Sequence, residues 1–260
     1  MNKLLNDEPI LKLTDITIKF GGVVALNNVG LSLSKKQVLG LIGPNGAGKT
    51  TLFNSITGFA KLTSGKIELH GKDITDFPPH RLAWLKISRT FQNIRLFKEL
   101  SIMDNLLIGN HIKTHQKFHD AVFFTKKYKE SENASCAKAK YYLDFVGLNE
   151  PEDRIAGSLP YGKQRMLEIA RSLMLEPEIL LLDEPAAGMN RREGDELMQL
   201  INKIIKNDTS ILIIEHDMKV LMGISHKVVV LDHGEKIAEN VPEVIKHDPK
   251  VIEAYLGKES

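Results

Sequence analysis

The residues best suited to chemistry are Gly43 to Thr50, "GPNGAGKT", which fit the spacing G-x-x-x-x-G-K-[ST]. Such a loop wraps phosphates with its backbone N–H groups, and its glycines let the main chain approach closely. Lys49 reaches toward β- and γ-phosphates, and the Thr50 hydroxyl can ligate Mg²⁺. "ILLLDE", Ile179 to Glu184, is an apolar strand ending in two carboxylates. Side chains diverge at a strand end, so Asp183 and Glu184 can divide the work: one holding Mg²⁺ through water, the other orienting or deprotonating an attacking water. Gln92 in "RTFQNIRLF" is a polar group within the same chemistry, and His216 follows the strand "ILIIE". A histidine at such a strand end faces the ligand crevice of a parallel sheet, and a satisfied structural histidine is an equal reading, as a plain surface residue is for Gln92. "LPYGKQRMLEIARSL", Leu159 to Leu173, opens with a bare backbone turn and continues as a helix. The unpartnered amides and positive dipole end of its first turn suit an anion.

These residues need a sheet and helices to hold them. "VLGLIG" before the phosphate loop is short and almost wholly apolar, as expected of a parallel strand buried on both faces; Lys49 to Thr57 then forms a helix. "EILLLDEP" and "SILIIEH" read as further strands of that sheet. Between them Leu197, Leu200, Ile201, Ile204 and Ile205 form the stripe of an amphipathic helix. "LKLTDITIKF" alternates apolar and polar with a slip near Thr14–Asp15. "VGLSLSKKQ" and "KIELHGKDIT" read likewise, the latter turning at His70–Gly71, which predicts an antiparallel subdomain. Residues 94–175 change to a helical pattern: Ala134, Ala137, Tyr141 and Phe145 mark one apolar stripe ended by Gly147, while Met166, Ile169, Ala170 and Leu173 mark another. "KVVVLDHGEKIAE" is a hairpin turning near His233–Gly234, and Asp248–Pro249 opens a last helix. The expectation is an α/β fold: a P-loop NTPase core with a parallel sheet (1–93 and 176–260), an antiparallel β subdomain, and an inserted α-helical subdomain over about 94–175.

The 260 residues suit one large domain. A net charge of +2 is too balanced for a general nucleic-acid binder. Cys136 is the only cysteine, so no internal disulfide forms. The opening "MNKLLNDEPI" lacks the apolar core of a signal peptide, and no apolar run of membrane-spanning length occurs. His111, His115 and His119 are four apart and read as a solvated segment rather than a metal site, since lysines surround them.

"KFGGVVAL", "GPNGAGKTTLFNSITG", "RTFQ", "LPYGKQRMLEIARSL", "LLLDEP" and "IIEHD" stand in the order and spacing of an ABC-transporter ATPase subunit, which the chain resembles over nearly its whole length. "EPAAGMN", "IEHDMKVLMGIS" and "VIEAYLG" look most like the LivG-like ATPases of branched-chain amino-acid importers; close relatives serve urea, short amides or lipopolysaccharide export. The resemblance implies that Phe20 stacks on adenine and that Gly43, Pro44, Asn45, Gly46, Ala47, Gly48, Lys49, Thr50 and Thr51 cradle the phosphates of ATP. It implies Thr50, Gln92 and Asp183 at Mg²⁺, Glu184 as catalytic base, and His216 at the γ-phosphate. Leu159, Pro160, Tyr161, Gly162, Lys163 and Gln164 would be the signature motif, covering ATP held by a second ATPase subunit, identical or paralogous, packed head to tail. Permease subunits would dock near Ile94, Leu96, Phe97 and Leu100, a substrate-binding protein would act indirectly, and the chain would sit on the cytoplasmic face of the membrane. Two positions depart from the family pattern. Pro160 stands where a signature serine is usual, leaving backbone N–H groups and Lys163 to meet the phosphate, and Asn190 replaces the D-loop aspartate. A soluble mechanical ATPase of the same superfamily needs a coiled-coil insertion or a second phosphate loop, and neither is present; a small-molecule kinase would leave the signature helix unexplained.

Overall fold

The computed structural model describes residues 9–110 and 126–256. His111, His115 and His119 lie outside the described residues.

Two sheets meet around the phosphate loop. The first is antiparallel, in the order β2-β1-β4-β5, built from β1 (Leu11–Phe20), β2 (Val23–Leu33), β4 (Ser64–Leu69) and β5 (Lys72–Asp73). The slip expected near Thr14–Asp15 is a bulge: Asp15 takes a φ of 52° and the β1–β2 register shifts between Leu13 and Ile16. The bulge keeps Leu11, Leu13, Ile16 and Ile18 all buried, which strict alternation could not do. The turn at His70–Gly71 follows the same logic, with both residues at positive φ.

The second sheet runs β10-β9-β3-β8-β7-β6. Its members are β3 (Val38–Ile42), β6 (Ile87–Arg89), β7 (Ile179–Asp183), β8 (Ser210–Ile214), β9 (Lys227–Asp232) and β10 (Glu235–Asn240). All pair in parallel except β9–β10, the expected hairpin. Every residue of β3, β7 and β8 is buried, as their unbroken apolar runs require. Helices α1 (Lys49–Ile56), α6 (Arg191–Lys206) and α7 (Met218–Ile224) pack beside it. Leu197, Leu200, Ile201 and Ile204 supply the buried stripe of α6. Short helices α2 (Pro79–Trp84) and α8 (Pro242–Ile245) and the last helix α9 (Pro249–Leu256) complete this body.

Between residues 94 and 175 the described helices are α3 (Ile102–Asn110), α4 (Lys126–Val146) and α5 (Tyr161–Leu173). α5 buries Met166, Ile169, Ala170 and Leu173 as its spacing predicts. α4 corrects the sequence reading. Ala134, Ala137 and Tyr141 face outward, whereas Ser135, Ala139, Leu143 and Val146 are buried. The inward face carries a hydroxyl, Ser135 Oγ, which accepts a hydrogen bond from Asn110 Nδ2 at 2.9 Å, so hydrophobicity alone misplaces the stripe by about one residue. Gly147, at φ 74°, ends the helix as expected.

Candidate functional site

The carboxyl ends of β3, β7 and β8 lie side by side, and each emits a loop that carries expected site residues. The crevice outside the strand ends is where a parallel sheet holds its ligand. From β3 the chain enters the phosphate loop. Gly43 and Gly48 need to be glycine: at φ 151° and 99° they occupy backbone regions side chains avoid, and a Cβ would strike the carbonyl oxygens of Leu231 and Ala25 respectively. Gly48 is the N-cap of α1 and offers no capping side chain, so the first-turn amides of α1 face the cleft uncapped. Lys49 is buried and folds back, donating to the carbonyls of Gly43 at 2.7 Å and Pro44 at 2.9 Å. Burial lowers its pKa, while the charges of Glu184 and Asp183 pull it up.

From β7 come the two carboxylates, and they diverge as predicted. Asp183 is buried and paired with Arg89 at 2.8 Å. Arg89 also donates to Asn54 Oδ1 and Thr57 Oγ1 and lies over the rings of Phe53 and Phe91. Glu184 takes a φ of 48°, unusual for a residue with a side chain, while its N–H bonds Ile214 O of β8 at 2.9 Å. That twist brings its carboxylate between two partners. Gln92 Nε2 donates to Oε2 at 2.9 Å, and His216 Nε2 stands 2.8 Å from Oε1. From β8, Glu215 turns inward and accepts the N–H groups of Ala186 (2.6 Å), His216 (3.0 Å) and Asp217 (3.3 Å). Burial pushes the Glu215 carboxyl pKa up despite those donors.

The result is a cleft of about 570 Å³ lined by Asn45 to Thr51, Gln92, Glu184, His216 and the β2 residues Val23 to Ala25. Of the expected site residues, Asn45 to Thr51, Gln92, Glu184 and His216 line this cleft, and others do not. Phe20 is 56% exposed at the end of β1 and does not line it. Asp183, buried and paired with Arg89, does not line it either. The signature residues stand elsewhere, none of Leu159 to Gln164 lining the cleft. Hard oxygen donors, from the Thr50 hydroxyl, the Gln92 amide and the Asp183 carboxylate, suit Mg²⁺, and the uncapped amides of α1 suit phosphate.

α5 opens at Tyr161, with Pro160 as an N-cap that offers no side-chain acceptor. The side chains of the opening are engaged within this chain. Gln164 Nε2 donates to Leu159 O at 2.8 Å, and the Tyr161 hydroxyl accepts from Arg165 at 3.3 Å. Lys163 pairs with Glu150. Asn190 is likewise occupied: its Oδ1 accepts from Glu193 N at 3.1 Å and Glu193 Oε2 accepts from Asn190 N at 2.9 Å, a capping box at the start of α6.

Four residues escaped sequence reasoning. Arg89 and Glu215 flank the motifs and looked like ordinary charges. Arg165, fully buried, pairs with Glu168 at 2.7 Å and donates to the carbonyls of Phe91 and Gln92, both at 2.7 Å, so it fixes the loop that carries Gln92. Tyr255 of α9 accepts the N–H of Gly43 at 2.8 Å from more than two hundred residues away. A charged pair three apart on the otherwise apolar face of α5 was the one available signal.

The sequence matches a family model described as ABC transporter over residues 26–187, and another described as branched-chain amino acid ATP-binding cassette transporter over 235–260. It is 47% identical to the high-affinity branched-chain amino acid transport ATP-binding protein BraF of Pseudomonas aeruginosa, covering 96% of this chain and 98% of that one. It is 42% identical to the corresponding LivG protein of Escherichia coli strain K12, covering 96% and 99%. The fold superposes on a crystal structure of the ADP conformation of an ATP-binding cassette of an ABC transporter, with a TM-score of 0.84, 34% identity, and coverage of 96% of this chain and 100% of that one.

Proposed function

The chain belongs to the ABC transporter family of ATP-binding subunits, and from that premise we propose that its ATP hydrolysis drives import of branched-chain amino acids. Its ATPase activity is coupled to transport, and among the described residues no helix is long and apolar enough to cross a membrane. The membrane path therefore belongs to permease subunits, which dock against the segment after Gln92, where Phe97 and Leu100 are 50% and 37% exposed. A substrate-binding protein outside the membrane supplies the cargo, and the chain works from the cytoplasmic face.

Residues 43–51 hold the triphosphate, with the first-turn amides of α1 on its oxygens and Lys49 turned from its own carbonyls to the β- and γ-phosphates. Thr50, Gln92 and Asp183 would hold Mg²⁺, which would neutralise charge on the phosphate oxygens. Phe20 lies at the adenine end. Glu184 takes the proton of the attacking water as the new oxygen–phosphorus bond forms and the bond to the β–γ bridging oxygen breaks, giving ADP and inorganic phosphate. Both Glu184 oxygens are met, by Gln92 and His216, which aims the carboxylate while leaving lone pairs to take the water's proton. His216 then faces the γ-phosphate. The opening of α5 covers the nucleotide of a second ATPase subunit, and with its side chains tied internally, the amides of residues 161–163 make that contact.

The observation that carries this reading is the convergence of the phosphate loop, Gln92, Glu184 and His216 on one cleft. The cargo rests on the likeness to the BraF and LivG proteins. The test is copurification from solubilised membranes followed by ATPase assays in proteoliposomes. Leucine with its binding protein is expected to stimulate hydrolysis; recovery without a permease, or stimulation by an unrelated solute alone, would overturn the assignment.

A further inference from the structure

Within the phosphate loop, Ala47 N donates to Pro44 O at 3.2 Å and Lys49 Nζ donates to the carbonyls of Gly43 and Pro44. Further support comes from the far end of the chain. Leu231 O packs so closely on Gly43 that no Cβ fits between them. Gly234 N, at the β9–β10 turn, donates to Ala47 O at 3.2 Å, and the same turn is fastened to β2 by Asn27 N donating to Gly234 O at 2.8 Å. The third contact is the Tyr255 hydroxyl, accepting the N–H of Gly43.

α9 is a fixed platform for that hydroxyl. Val251, one turn before Tyr255, is buried in a core with Ile42, Val228 and Ile245, and Asp248 Oδ1 caps the helix by accepting from Lys250 N at 2.9 Å. Otherwise helix and loop stand apart. A cavity of about 680 Å³ separates Asn45 and Gly46 from Lys250 and Glu253. Tyr255 is itself 44% exposed, so burial of its ring does not account for where its hydroxyl sits.

We infer that residues 231–255 brace the phosphate loop in its nucleotide-accepting shape, with Tyr255 a positioning residue that acts through Gly43. The inference rests on residues 43–51 being the seat of the triphosphate. The peptide groups of Gly43 are held on both sides: its N–H by Tyr255 and its carbonyl by Lys49 Nζ. When Lys49 turns to a phosphate, the Tyr255 bond is the side-chain anchor that remains at the loop's entry.

The test uses the full chain and its Tyr255→Phe variant, which keeps the ring and removes one oxygen. Calorimetric titration with MgATP is expected to show about three- to tenfold weaker binding, the scale of one net hydrogen bond. Amide exchange at Gly43 is expected to accelerate. In the assembled transporter the loss falls on KM for ATP rather than on kcat. Unchanged Gly43 exchange together with unchanged affinity overturns the brace, as does a loss confined to kcat. Lys49→Ala, titrated in parallel, separates the two claims: if it binds ATP normally, the seat itself is misplaced, whereas normal binding by Tyr255→Phe alone removes only the brace.

Discussion

Glu184 is held at an unfavourable backbone angle with both carboxylate oxygens engaged, an arrangement that fixes the direction of a base and leaves it lone pairs with which to act. Glu184→Gln is expected to bind ATP normally and hydrolyse it at least ~tenfold more slowly, measured by phosphate release; turnover at the wild-type rate would remove Glu184 from the role. Its neighbour differs in kind. Asp183 sits against Arg89, both nearly inaccessible, so Arg89→Ala strands a buried carboxylate. The expected cost is about 3–5 kcal/mol in urea unfolding, and a loss below ~1 kcal/mol would mean that the pair contributes little. The phosphate loop and the two carboxylates were legible because their chemistry dictates residue type and spacing. Arg89, Arg165 and Glu215 were not, because a buried charge is written with the same letter as a solvated one and only its partners, from distant strands, reveal it.

At the scale of elements, short uninterrupted apolar runs made the parallel strands plain, and the break in alternation at Thr14–Asp15 marked a true bulge. α4 was harder. Its inner face mixes Ser135 with Ala139, Leu143 and Val146, while aromatic Tyr141 looks outward, so the apolar pattern pointed about one residue away from the packed face. Asn190, expected at the D-loop, also serves an element, since its acceptor closes the capping box of α6. Asn190→Ala is expected to cost about 1 kcal/mol in thermal or chemical unfolding; no change would mean the cap is dispensable. The β9–β10 hairpin carries a pH signature. Burial opposes ionisation of Glu239, but hydrogen bonds from Lys227 and Lys236 outweigh it and hold the carboxyl below its usual 4.5. A depressed folded-state pKa gives stability that is full above pH 4.5 and lost as pH falls through the lower folded value. Glu239→Gln is expected to flatten the acid limb of the unfolding midpoint between pH 5 and 3, and an unaltered limb would assign the hairpin's acid response elsewhere.

For the molecule as a whole, the opening of α5 lies apart from the cleft, and the proposed function has it serve a neighbour's nucleotide. Bulky substitution of Gly162 is therefore expected to impair hydrolysis in the assembled transporter while leaving MgATP affinity of the separated subunit intact, compared by titration and phosphate release. Equal losses in a demonstrably monomeric preparation would argue that the helix serves its own chain's nucleotide.

Arg165 has a mechanical implication. One rigid planar group clasps the main chain at Phe91 and Gln92 while belonging to the second turn of α5. Through that clasp, displacements of the Phe91–Gln92 loop and of the opening of α5 are coupled. Under the proposed function, a movement passed on by the permease would thereby reach two nucleotides at once, the chain's own and its neighbour's.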